Sequence, residues 1–318
     1  TFFEFNQGLP DARIVVVDNN STDGTNAAAR AALDPQRDLL LFERRQGKGF
    51  AVKKGLSRLQ VDVYVMTDGD GTYLAEDARR LIQALIESRA DMLVGDRVSE
   101  GAYEAQNMRP GHGWGNRLLT SVISRLSGER YNDVLSGLRV MSRPFVSSLG
   151  VRSTGFQLET EMNVVAAYLR SEVIELPVAY RPRPQGSHSK LNTISDGFRI
   201  LYFAVTNWIA FAPMQVFSMV AGLAAIIAVA LGYRVVAGFL EHGWPYSTTA
   251  IAAATAGVTA ILAIFNGVTL HILGRNDRNR DVARFLAAKR EWNDHIDSHG
   301  NREWTKEAIA PSSEFVSI

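Results

Sequence analysis

Apolar and polar positions follow two different registers along the first 199 residues. Short runs rich in branched side chains, at residues 11–17 (ending IVVV), 39–42 (LLLF), 61–66 (VDVYVM) and 91–95 (DMLVG), read as buried strands. Between them, residues 26–33 (NAAARAAL) are strong helix formers with Ser21 or Thr22 as cap. Residues 48–59 form a second helix introduced by Gly47, Lys48 and Gly49, and residues 76–88 set Leu81, Ile82, Leu85 and Ile86 at helical spacing. Further helices are expected at 116–126 and 157–169. Strands and helices alternating at short intervals predict βαβ units and a mostly parallel, Rossmann-like α/β sheet.

The pattern changes late in the chain. Residues 200–233 and 242–274 contain no Asp, Glu, Lys or Arg. A run of roughly 20 apolar residues crosses a bilayer, and helices of soluble cores seldom run this long without a charge. One membrane helix is therefore expected at 214–233 and a second at 248–273. Arg199 precedes the first, Arg275, Arg278, Arg280 and Arg284 follow the second, and the loop between them holds only Arg234 and Glu241 as charges. The excess of arginine outside the hairpin puts both chain ends in the cytoplasm. Residues 200–213, with Trp208 and Pro213, fit an interfacial helix. The expected division is a cytosolic domain at 1–198, an interfacial helix at 199–213, a two-helix hairpin at 214–274 and a cytosolic tail at 275–318.

Composition narrows the class. With 318 residues, 46% hydrophobic and 21% charged, the chain supports one large domain plus an appendage and is not a disordered protein. A formal net charge of +1 gives no argument for nucleic acid as a partner. The absence of cysteine excludes a disulfide framework and thiolate metal sites. The first residues, TFFEFNQGLPDA, read as the tail of a helix entering a strand rather than as a signal peptide.

The candidate chemistry is centred on the strand that ends in Asp68, Gly69, Asp70 and Gly71. Two carboxylates one residue apart on a glycine-bent chain can converge on one hard cation, and the carboxyl ends of strands are where open α/β sheets bind ligands. A turn that merely caps a strand has the same composition, so the neighbouring segments decide. Three competing motifs fail. A P-loop needs a glycine where Phe42 stands and Ser or Thr where Gly49 stands, and an EF-hand starting at Asp68 meets Tyr73 and Arg79 at its glycine and glutamate places. A GxGxxG fingerprint is absent after the first strand.

Taken in order, DNNSTDGT, GKGFA, DGDGTY, GDR, GWGNRL, DVLSGLR, GFQLETEM and YRPRPQGSHSKL resemble the family 2 glycosyltransferases of GT-A fold. Among these they are most similar to the polyprenol-phosphate glycosyltransferases related to dolichol-phosphate mannosyltransferase. The resemblance covers residues 12–191, and two membrane spans after the catalytic domain match a subgroup of that family. It implies inverting, metal-dependent transfer of a hexose from a UDP- or GDP-sugar to a membrane polyprenyl phosphate. The rival readings are a membrane-anchored sugar-nucleotide binder without turnover and a transferase using another lipid or glycan acceptor. The QxxRW element of processive synthases does not occur.

The resemblance also implies roles. Asp68 and Asp70 hold a divalent cation, Mg2+ or Mn2+, with Asp70 in direct contact and Asp68 on ribose or metal. Relatives often carry Gln at the place of Thr72, so here the third ligand place is left to water. Asp18 contacts base and ribose, Lys48 the nucleotide, and Arg183 and Lys190 the diphosphate. Arg97 and Arg109, with Arg117 as a weaker candidate, match the acceptor-phosphate positions, where guanidinium groups position a dianion. Asp133 orients the acceptor or acts as base, or else caps the turn at Ser136 and Gly137. Asp23 and Gly24 shape a turn, Arg139 pairs with a carboxylate, and Glu159 faces the site while Glu161 is structural, since a spacing of two puts them on different helix faces. These roles imply a multi-pass protein of the cell inner membrane with its catalytic domain in the cytoplasm; homo-oligomerisation is left open. Family members begin with a strand that this sequence lacks. Either the chain is an incomplete version of the natural protein, or another segment fills the gap.

Overall fold

The computed structural model describes residues 1–99, 128–182 except 129 and 156, 212–298 except 244 and 245, and 314–317, with positions 120, 121, 124, 202 and 206 between them. The chain divides into two compact units, residues 1–204 with 281–318, and residues 205–280.

The first unit is built on strands β1 (Arg13–Asp18), β2 (Leu39–Phe42), β3 (Val63–Thr67), β4 (Met92–Asp96), β5 (Arg139–Ser142), β6 (Val173–Pro177) and β7 (Glu314–Ser317), in the order β2-β1-β7-β3-β5-β4-β6. Four of the six pairings are parallel; β5 runs antiparallel to both β3 and β4. This is the α/β class expected for GT-A, and the continuous apolar runs of β3 and β4 follow from it, because both faces of a parallel sheet are covered. Alternate residues of each strand feed the two sides. Ile14, Val16, Val63, Val65 and Leu93 pack with Leu81, Leu85 and Ile86 of α4 (Ala75–Ser88), whereas Val15, Val17, Tyr64, Met66 and Met92 pack with Ala51 and Val52 of α3 (Lys48–Leu56) and with Phe145, Leu158 and Met162. Helices α1 (Phe2–Gly8) and α2 (Thr25–Ala32) complete the first half, and α5 (Arg143–Ser148) and α6 (Leu158–Leu169) flank β5 and β6.

Three features go beyond the sequence pattern. Strands β5 and β6 stand where no strand was expected. Strand β7 lies between β1 and β3 and pairs parallel with both, Arg13 opposite Glu314 and Met66 opposite Val316. The last helix, α8 (Ser247–Ser298), continues through the expected tail. From Asp281 onward it belongs to the first unit, where Phe285, Trp292 and Ile296 are buried. There Trp292 Nε1 donates to the Asp62 carbonyl at 3.1 Å and Lys289 Nζ bonds Asp91 Oδ2 at 2.8 Å. Burial pushes the Asp91 carboxyl up from its ordinary value, and Lys289 offsets this only in part.

The second unit contains α7 (Pro213–His242) and the first part of α8. Both helices are long and apolar enough to cross a membrane, and only 6% and 11% of their most apolar windows are buried. Helices that carry such side chains outward are not behaving as the core of a soluble domain. The expected spans lie inside them. Most of the expected interfacial helix lies outside the described residues.

Candidate active site

The parallel strands all end at one edge of the sheet, and β5 starts there, so the segments after β1, β2, β3 and β4 and the segment before β5 meet. Asp18 closes β1. It is buried, and its carboxylate accepts from the Ser21 amide at 3.0 Å and from Asn26 Nδ2 at 2.8 Å. Burial raises an acid, but these hydrogen bonds outweigh it and hold Asp18 below its ordinary value. Asp23 accepts from the Thr25 amide and hydroxyl, and Gly24 takes φ +79°, the turn-shaping roles expected of them. Asn19 then bridges to the next loop, donating to the Arg45 carbonyl and accepting from the Gly47 amide at 2.6 Å.

That loop delivers Lys48, whose ammonium lies 2.5 Å from Asp68 Oδ1 and 2.6 Å from Glu159 Oε1. Burial works against a charged lysine, yet the two carboxylates hold it well above the usual range. The backbone fits closely around it. A Cβ at Gly47, where φ is +137°, would lie 2.1 Å from the Thr154 carbonyl oxygen, and one at Gly49 would lie 1.9 Å from that of Ser153. Only glycine permits this approach. The covering segment is itself fixed by Glu161, which accepts from the Arg152 and Ser153 amides at 2.8 Å each. Glu159 and Glu161 thus serve different faces of α6, as their spacing requires.

Asp68 leans on the loop before β5: a Cβ at Gly137 would come within 2.3 Å of Asp68 Oδ2. Two residues on, Asp70 Oδ1 accepts from the Thr72 amide at 3.2 Å and hydroxyl at 2.7 Å. Thr72 therefore orients Asp70 from behind. Two hard carboxylates at a strand end fit Mg2+ or Mn2+, cations that keep waters and complete their shell with substrate phosphate oxygens. Among the described residues, no group of three His, Cys, Asp or Glu side chains is placed to hold a metal alone.

A second cluster lies beyond Gly137. Arg97 donates through Nε to Asp133 Oδ2 at 2.6 Å and through a terminal nitrogen to Oδ1 at 2.9 Å, a bidentate pair with Asp133 fully buried. Burial opposes the carboxylate charge, but Arg97 prevails and holds Asp133 below its ordinary value. The Arg97 guanidinium also lies 5.3 Å over the Tyr180 ring, which meets Tyr73 edge to face at 5.5 Å. Tyr73, pushed up to about 12 by burial, accepts from the Gly137 amide at 2.8 Å and ties this cluster to Asp68. The amides of Asn132 and Asp133 donate to Glu175 of β6, at 2.7 and 3.1 Å.

Arg139 departs from expectation. It is fully buried, and its nitrogens donate to the Ser136 and Val134 carbonyls and to Asn163 Oδ1 rather than to a carboxylate. As the first residue of β5 it reaches back under its own loop to two main-chain oxygens and across to the Asn163 side-chain amide. Asp18, Lys48, Asp68, Asp70, Arg97 and Asp133 are thus linked through contiguous loops, whereas Arg109, Arg117, Arg183 and Lys190 lie outside the described residues. Glu159 as a partner of Lys48 is the principal addition; its sequence signal is a carboxylate in the first turn of a helix that follows a glycine.

Comparisons with known proteins agree with this geometry. Residues 4–150 match the family model described as glycosyl transferase family 2. Over 192 residues the chain is 34% identical to glycosyltransferase AglJ of Haloferax volcanii, covering 58% of this chain and 59% of that protein. It is 27% identical over 219 residues to an undecaprenyl-phosphate mannosyltransferase of Micrococcus luteus, covering 65% of this chain and 86% of the other. An uncharacterized glycosyltransferase of Mycobacterium bovis is 34% identical over 184 residues, with 55% of this chain and 76% of that one covered. An ordered set of turns, a carboxylate pair at a strand end and a relative matched over three quarters of its length lead to one assignment: the chain belongs to glycosyl transferase family 2.

Proposed function

We propose that the protein transfers a hexose from a nucleoside diphosphate sugar to a polyprenyl phosphate in the membrane. The observation that carries this reading is the contiguity of two clusters at one sheet edge, carboxylates at Asp68 and Asp70 and a guanidinium at Arg97, in a chain that also has two membrane-length helices. The likeness to an undecaprenyl-phosphate mannosyltransferase supports the lipid acceptor.

In this reading a phosphate oxygen of the acceptor attacks the anomeric carbon from the face opposite the leaving group. The bond to the nucleoside diphosphate breaks, its electron pair leaves with the diphosphate, and configuration inverts. Asp68 and Asp70 would hold a divalent cation, which when bound stabilises charge on the leaving diphosphate. A phosphate acceptor is already ionised near neutral pH and needs no strong base. Asp133 accordingly acts by fixing the Arg97 guanidinium rather than by taking a proton, and Arg97 orients the acceptor phosphate together with Arg109. Asp18 binds the nucleoside, and Arg183 and Lys190 supply positive charge to the diphosphate. The domain is cytoplasmic, and the α7–α8 hairpin anchors it with both chain ends on that side.

The test incubates membranes containing the protein with labelled sugar nucleotides and undecaprenyl phosphate. Label should pass to lipid, and transfer should stop with chelator and fall about 10³-fold in Asp70→Ala, which corresponds to about 4 kcal/mol of barrier. Label that binds but never reaches lipid overturns the reading.

A further inference from the structure

The Lys48 cluster contains one cation between two carboxylates, and the count of charges matters. Had Lys48 met Asp68 alone, the pair would be neutral and Asp68 would offer little to another cation. Glu159 changes this. Its Oε1 lies 2.6 Å from the ammonium that Asp68 also meets, and both side chains are enclosed, Lys48 13% and Glu159 5% exposed against 29% for Asp68. The triad as a whole carries one net negative charge, and its open end is Asp68. Asp70 supplies a second.

We propose that Glu159 is a positioning residue of the donor site. By sharing the Lys48 ammonium it keeps the Asp68 end anionic, so that Asp68 and Asp70 together meet a divalent cation with matching charge. The inference rests on the reading of Asp68 and Asp70 as cation ligands. The placement is built in from two sides. Glu159 stands in the first turn of α6, where the helix dipole favours a carboxylate, whereas Lys48 starts α3, where the dipole disfavours a cation. A lysine in that place needs compensation by more than one acid. One helical step on, Glu161 grips the amides of Arg152 and Ser153, whose neighbouring carbonyls cover Gly47 and Gly49. The first turn of α6 therefore fixes both the backbone and the ammonium of Lys48, and through them the direction of Asp68.

Mn2+ binding to the full chain in detergent, read by the loss of the free-ion electron paramagnetic resonance signal, tests this without turnover. Glu159→Gln should weaken Mn2+ binding about ten-fold, since affinity of such sites follows ligand charge, with thermal stability monitored alongside. The double variant Lys48→Met/Glu159→Gln removes one charge of each sign and should bind Mn2+ within about two-fold of the unaltered protein. Affinity unchanged in Glu159→Gln, or a double variant no tighter than Glu159→Gln, overturns the inference; a merely structural Glu159 gives the second result, because removing Lys48 restores no fold. If the Mn2+ pattern appears without sugar transfer, the proposed function fails and the charge arrangement stands. If transfer occurs without the pattern, only the charge arrangement fails.

Discussion

Two ion clusters face each other across Gly137, and they are built on opposite principles. The Arg97–Asp133 pair is balanced, bidentate and sealed, one cation on one carboxylate that is fully buried. The Lys48 cluster is unbalanced, with two carboxylates on one ammonium and Asp68 left partly open. A sealed, neutral pair has little charge left to give a ligand; an unbalanced, open cluster retains charge for a newcomer. Under the proposed function, the first cluster serves architecture and acceptor orientation and the second serves cation and donor chemistry.

Removing one partner from the sealed pair has the largest expected effect on the fold. Asp133→Ala leaves Arg97 buried without its carboxylate and should cost about 3–5 kcal/mol of stability, measured by urea unfolding. Asp70→Ala, at the open end, should cost less than about 1 kcal/mol, as for surface changes, while lowering transfer about 10³-fold. Equal stability losses for the two variants would break the comparison, because both clusters would then be structural.

A smaller effect is expected where the two clusters share no atoms. At Gly49 an added methyl meets main-chain oxygen rather than a movable side chain, so the segment around Ser153 must shift. Gly49→Ala should cost about 1–3 kcal/mol, the usual range for overpacking. It should also weaken nucleoside diphosphate binding, measured by calorimetry, because Lys48 moves with its neighbour. The Arg97–Asp133 pair should be indifferent to it, and a change in acceptor KM at saturating donor would show that the clusters are coupled after all.

The sequence makes these regions unequally legible. Local pattern suffices for β1, β3 and α4, where apolar runs or helical spacing decide, and Leu81, Leu85 and Ile86 are buried as that spacing requires. It also suffices for the carboxylate turn after β3. Strand β5 is hidden because its four residues, RVMS, open on an arginine whose charge is satisfied by carbonyls from its own loop. The Arg97–Asp133 pair joins residues 36 apart, and nothing local announces it. The end of α8 is a different case. Phe285, Trp292 and Ile296 stand seven and four residues apart on one helix face, a signal that its dense charges obscure. Spacing puts the two glutamates on different faces, with Glu159 expected toward the site, but its pairing with Lys48 depends on how α6 sits against α3.

The smallest effect is one of pH, and it belongs to the sealed pair. Burial alone would raise the Asp133 carboxyl, but Arg97 and the Arg97 and Leu135 amides lower it below the ordinary value near 3.8. A carboxylate lowered in the folded state contributes its full stability above the unfolded pKa, and the contribution disappears as pH falls through the folded one. Unfolding free energy should therefore drop with acid below about pH 4, in part through Asp133, and stay level with respect to this group from there to neutrality. Asp133→Asn cannot titrate, so its acid limb below pH 4 should be shallower than that of the unaltered protein, even though its stability at neutral pH is lower. Parallel acid limbs would mean that the Arg97–Asp133 pair carries no more charge stabilisation than an exposed one, and the contrast between a sealed and an open cluster would lose its energetic basis.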